Sequence, residues 1–104
     1  MPVTYDEGSA ISTLRLEAEV GIRDALELKR ILLHALAAQK ELRVNVENAT
    51  ELDVTVFQLL RAAARQAQAE NLSIYLEGNV AETVSAVYVD AGLGSFPLEA
   101  QSSH

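Results

Sequence analysis

The chain has 104 residues, eight of them Lys or Arg and fifteen Asp or Glu, giving a net charge of −7 and a pI near 4.7. That length suits one domain, because single cores cluster near roughly 100–150 residues. The acidity argues against nucleic acid and anionic membranes, which both call for concentrated Lys and Arg. The absence of cysteine excludes disulfides, thiol chemistry and Cys-based metal centres. Two histidines, one of them the final residue, leave little for a transition metal.

The N-terminal stretch Met1–Gly8 has neither a basic start nor an apolar signal region. No run approaches the 18 or so apolar residues of a membrane span. The expectation is a cytoplasmic protein with no direct membrane insertion and no cofactor.

In chain order, the first expected element is a strand over Ala10–Val20. Ala10, Ser12, Leu14, Leu16, Ala18 and Val20 alternate with Thr13, Arg15, Glu17 and Glu19, the period of a half-buried strand. Beyond Gly21, a helix is expected from Asp24 to Gln39, with Ala25, Leu28, Ile31, Leu32, Ala35 and Leu36 as its apolar stripe. Leu42–Val46 reads as a second alternating strand, and Glu47–Asp53 as a polar loop. A second helix over Thr55–Glu70 should bury Val56, Leu59, Leu60, Ala63, Ala64 and Ala67 and expose Gln58, Arg61, Arg65 and Gln68.

Leu72–Leu76 is the third alternating strand, followed by a turn at Gly78-Asn79. A third helix is expected over Val80–Ala91, capped by Asn79 and stopped by Gly92. Residues 1–98 form one domain and 99–104 a disordered tail. The β–α–β–α–β–α order implies parallel pairing through right-handed crossovers. Because every strand alternates instead of being apolar throughout, the helices should cover mainly one sheet face. Thr13, Arg15, Arg43, Asn45, Ser73 and Tyr75 should then line a more open one. The expected fold is a two-layer α/β sandwich.

The segment before the second helix is the most informative for function. Sites in parallel sheets lie beyond the carboxyl ends of strands, where Glu47, Asn48, Thr50, Glu51, Asp53 and Thr55 fall. Helix capping by Asp53 or Thr55 is a compatible role, and Thr50–Asp53 has the form of a capping box. His34 has no ligand-spaced neighbour and reads as a surface or structural residue. Tyr75 and Tyr88 read as packing residues with polar tips.

The run Val44-Asn45-Val46-Glu47-Asn48-Ala49-Thr50-Glu51-Leu52-Asp53-Val54-Thr55-Val56-Phe57-Gln58-Leu59-Leu60 resembles the signature region of the STAS family (sulfate transporter and anti-sigma factor antagonist). The likeness in element order extends over about residues 10–96 and points to a divergent branch associated with bacterial signalling. It implies a mostly parallel mixed sheet with helices mainly on one face. Asp53 matches the family's Asp, and Thr55 falls where anti-sigma factor antagonists carry the phosphorylated Ser or Thr. Val54 and Val56 stand in place of a hydroxyl residue and a glycine.

The resemblance implies a non-enzymatic regulatory module. Its partner would be a kinase-type anti-sigma factor or another bacterial signalling protein, with Thr55 as phosphoacceptor. Glu51, Asp53, Thr55, Gln58, Arg61 and Arg65 would form the partner-binding surface. A constitutive subunit of a transporter or signalling assembly is the alternative, and a homodimer stays open.

Overall fold

The computed structural model describes residues 2–80, together with 84, 86 and 98. A four-stranded sheet is built from β1 (Val3–Glu7), β2 (Ile11–Leu16), β4 (Glu41–Asn45) and β6 (Ile74–Glu77), in the spatial order β1-β2-β4-β6. β1 runs antiparallel to β2, while β2–β4 and β4–β6 are parallel. A second, two-stranded parallel sheet pairs β3 (Ala18–Val20) with β5 (Ala49–Leu52). Two helices, α1 (Ala25–Ala37) and α2 (Val54–Ala69), supply the crossovers.

The mixed, mostly parallel sheet matches what the resemblance implies, and its helix-covered face matches the expectation from alternation. Leu14 and Leu16 of β2, Leu42 and Val44 of β4, and Leu76 of β6 share one core with Leu28, Leu32, Ala35 and Leu36 of α1. From α2 come Val56, Phe57, Leu60, Ala63 and Ala67. The α1 stripe is as the spacing predicts, with Ala25 and Ile31 at its margin. On α2 Val56, Leu60, Ala63 and Ala67 of the expected stripe are buried, Leu59 and Ala64 are only partly so, and Phe57 turns inward as well, 1% exposed. Its ring enlarges a face otherwise rich in alanine.

Three departures concern the strands. The single strand expected over Ala10–Val20 is two: Ala18 takes φ 55°, and the register shifts between Ala18 and Glu19. That kink sends Glu19 and Val20 away from the main sheet to pair with β5. The segment Glu47–Asp53, expected as loop, contains β5, whose ladder with β3 was hidden by its polar residues Thr50 and Glu51. β1 lies in the opening segment to which no element was assigned. Its hairpin with β2 turns at Gly8, where a Cβ would collide with the Ile11 carbonyl oxygen.

The open sheet face departs from expectation at one residue. Arg43 and Asn45 are partly exposed and Ser73 exposed, but Tyr75 is buried, at 9% exposure. Its hydroxyl accepts from Arg43 Nε at 2.6 Å and donates to Glu41 Oε2 at 2.8 Å. The Arg43 guanidinium also lies over the ring, 5.7 Å from its centre. Glu77 completes the ladder, accepting from Asn45 Nδ2 at 3.2 Å and Arg43 Nη1 at 3.4 Å. Tyr75 is therefore covered by its own polar neighbours.

Of the helix expected over Val80–Ala91, positions 84 and 86 are helical, and Val84 joins the core. The Gly92 stop, Tyr88 and the tail 99–104 lie outside the described residues. Among the described residues, no helix is long and apolar enough to cross a membrane.

Candidate functional site

The β3–β5 ladder positions the site. Val20 pairs with Leu52, and the Asp53 amide donates to the Val20 carbonyl at 3.0 Å. The start of α2 is thereby fastened beside Gly21, where the chain enters a 3₁₀ turn (Ile22–Asp24) running directly into α1. The two helix starts stand side by side. A shallow cleft between them is lined by Glu19, Gly21, Ile22, Arg23, Glu51 and Asp53.

Each helix start is closed by a carboxylate. Asp24 reaches back to accept from the Gly21 amide at 3.0 Å. Asp53 is the N-cap of α2, in extended conformation, and its Oδ2 accepts from the Thr55 amide at 2.9 Å. This satisfies one of the free N–H groups of the first turn. The Thr55 amide, and after it the Thr55 hydroxyl, hold the Asp53 carboxyl below its ordinary range, against the opposing effect of burial. Asp53 is thus ionised at neutral pH.

The capping box suggested for Thr50–Asp53 does not form, because Thr50 belongs to β5 and the cap is Asp53 itself. The two valines of the motif find different places. Val56, where the family carries glycine, is the third residue of the helix, with its side chain in the core at 0% exposure. No left-handed conformation is needed there. Val54 is exposed at the first helical position.

The sequence-predicted residues separate into two groups. Asp53 and Thr55 are half-buried and in contact, with Glu51 exposed nearby on β5. Gln58, Arg61 and Arg65 are exposed along the outer side of α2. Among the described residues neither arginine has an ion pair. Thr55 lies on a different line of the helix, the one passing through Leu59 and Ala62 at helical spacing.

The structure also joins residues that the sequence kept apart. His34 of α1 meets Glu7 of β1 at 3.1 Å, and Lys40 meets the same carboxylate at 3.0 Å. The His34 ring stands edge-on to Tyr5, with centroids 5.9 Å apart. His34 and Lys40 lower the Glu7 carboxyl. The cluster ties the edge strand β1 to α1, and no local spacing could have announced contacts 27 and 33 residues apart.

The comparisons with known proteins agree with this architecture. The chain superposes on the anti-sigma factor antagonist SpoIIAA in its unphosphorylated form with a TM-score of 0.75 at 17% identity, covering 98% of this chain and 89% of that one. An anti-sigma factor antagonist from Mycobacterium paratuberculosis gives 0.62 at 14% identity, with 88% and 77% covered. A structure described as Mglu gives 0.65 at 15% identity over 80% of this chain, which spans only 21% of that protein. At these identities the likeness establishes the fold. No curated protein sequence matches. The family profile described as "Mlab, STAS domain" matches residues 3–95, nearly the whole chain. The chain belongs to the STAS domain family.

Proposed function

We propose that this chain is a non-enzymatic regulatory module that acts in the cytoplasm by reversible binding of a partner protein, with Thr55 as a phosphoacceptor. The observation that carries the reading is the Asp53–Thr55 pair. At the second position of the helix, the Thr55 hydroxyl stands beside an ionised carboxylate that accepts from the Thr55 amide. A phosphate on Thr55 would meet the positive end of the α2 dipole. It would add nearly two negative charges beside Glu51 and Asp53. The result is a change of surface, with the helix kept.

The partner on this reading is a kinase-type anti-sigma factor or a comparable bacterial signalling protein, which would bring the nucleotide. The similarity to SpoIIAA supports it through fold, and the position of Thr55 supports it through chemistry. A constitutive subunit of a larger assembly would use the same surface, since a capped threonine serves a static interface as well.

The two readings separate on Thr55. Thr55→Glu should weaken partner binding while the circular dichroism spectrum stays unchanged. Thr55→Ala should bind normally and resist phosphorylation. Incubation with the captured partner and ATP, followed by mass spectrometry, should place phosphate on Thr55. Phosphate elsewhere, or none together with unaltered binding by Thr55→Glu, would reject the switch and favour the constitutive subunit.

A further inference from the structure

A phosphate on Thr55 would enter a negative corner with few donors to spare. The Thr55 amide is already held by Asp53 Oδ2 at 2.9 Å, and the Val56 amide by the Asp53 carbonyl at 2.9 Å. Two of the first-turn N–H groups that usually receive an anion are therefore engaged. Glu19, Asp24, Glu51 and Asp53 all line the cleft between the helix starts. The end of a helix dipole amounts to only about half an elementary charge. Against an ionised Asp53 and its acidic neighbours, that is a weak reception for a dianion.

One cation lines the same cleft. Arg23, in the 3₁₀ turn, is exposed and shares the cleft wall with Asp53. It has no ion pair among the described residues, although four carboxylates line the space it enters. Two of these are committed elsewhere, Asp24 to the Gly21 amide and Asp53 to the Thr55 amide. The backbone fixes the two segments side by side. The Val20 carbonyl, three residues before Arg23, accepts at 3.0 Å from the amide of Asp53, two residues before Thr55. The Thr55 hydroxyl stands beside that same Asp53 carboxylate.

We infer that Arg23 is the counter-charge for phosphorylated Thr55, turning across the cleft to pair with the phosphate oxygens. The inference rests on the proposed phosphorylation and names the residue that receives its product. A guanidinium suits the task, because its planar fork meets two phosphate oxygens at once. The pairing also sets the charge of the modified group. A threonine phosphate ordinarily loses its second proton near pH 6. The neighbouring carboxylates oppose that loss and Arg23 favours it, so Arg23 keeps the phosphate dianionic at neutral pH. A partner then meets a phosphate and loses a free guanidinium, two changes of surface from one modification.

The test uses the full chain with phosphothreonine placed at position 55 during translation, so that no kinase is needed. The phosphorus resonance is followed against pH. Arg23→Gln should raise the midpoint of the second ionisation by about 0.5, the scale of one exposed ion pair. Arg23→Lys should restore most of the difference, since the charge is kept. Arg61→Gln, which removes an equal charge from the outer side of α2, should leave the midpoint in place. An unmoved midpoint in Arg23→Gln, an equal rise in Arg61→Gln, or no recovery in Arg23→Lys would overturn the pairing. Missing phosphate on wild-type Thr55 after incubation with partner and ATP would instead overturn the phosphorylation on which it rests, a result separate from this titration.

Discussion

The two faces of the four-stranded sheet are held by different physics. On one face Leu14, Leu16, Leu42, Val44 and Leu76 are removed from water by two amphipathic helices. Their contribution is non-directional and scales with the apolar area covered. On the other, Glu41, Tyr75, Arg43, Glu77 and Asn45 form a chain of directional contacts running across β4 and β6. Burial pushes the Tyr75 phenol upward, Arg43 opposes this, and Glu41 reinforces the rise, so the hydroxyl stays protonated and donates to Glu41. The helix-covered face therefore supplies most of the stability. Among the described residues, the polar face orders a surface without a second layer.

The largest effect expected on this comparison is in the covered face. Leu60 is fully buried, and Leu60→Ala should cost about 2–5 kcal/mol through lost transfer energy and a residual cavity. The midpoint of urea denaturation measures it, and an unchanged midpoint would mean that α2 packs by another face.

Asp53→Ala should cost about 1 kcal/mol, typical for loss of an N-cap. Its pH dependence has a definite sign. The folded-state pKa of Asp53 is lowered, so its contribution is full above the carboxylate's unfolded value and fades as pH falls through the folded one. The wild-type and variant midpoints should accordingly converge in acid. A gap that stays constant with pH would show that the carboxylate charge is not what caps α2.

Tyr75→Phe should cost about 0.5–1.5 kcal/mol, the net worth of an ordinary hydrogen bond in a folded chain. The ring keeps its place over β4, so the loss reports the hydroxyl alone. If thermal unfolding showed Tyr75→Phe as damaging as Leu60→Ala, the polar face would be a second core and the contrast would fail.

Local spacing determined a great deal here. The 3.6-residue period placed α1 and α2 within a residue or two of their ends and identified most of their buried side chains. Alternation in β4 and β6 announced a sheet covered on one face, and the Asp53–Thr55 pair was legible as a capped helix start. These features depend on neighbours a few residues apart, whose relation is fixed by the geometry of a helix or strand.

Other features depended on contacts between distant segments. Nothing local marks Ala18 as the kink that divides the first long strand, because alanine has no preference for a positive φ. Nor does the polar run from Thr50 announce that β5 will find β3. Tyr75 alternates as an outward residue and is buried only because Glu41 and Arg43, more than thirty residues away, close over it. A groove between α1 and α2 is likewise tertiary: Leu33 looks like an ordinary surface leucine until Leu59 and Ala62 of α2 stand across from it. Periodicity decides which side of an element is apolar. Only the packing of whole elements decides which apolar side is left without a partner, and at Leu33 and Leu59 that choice sets a groove between α1 and α2.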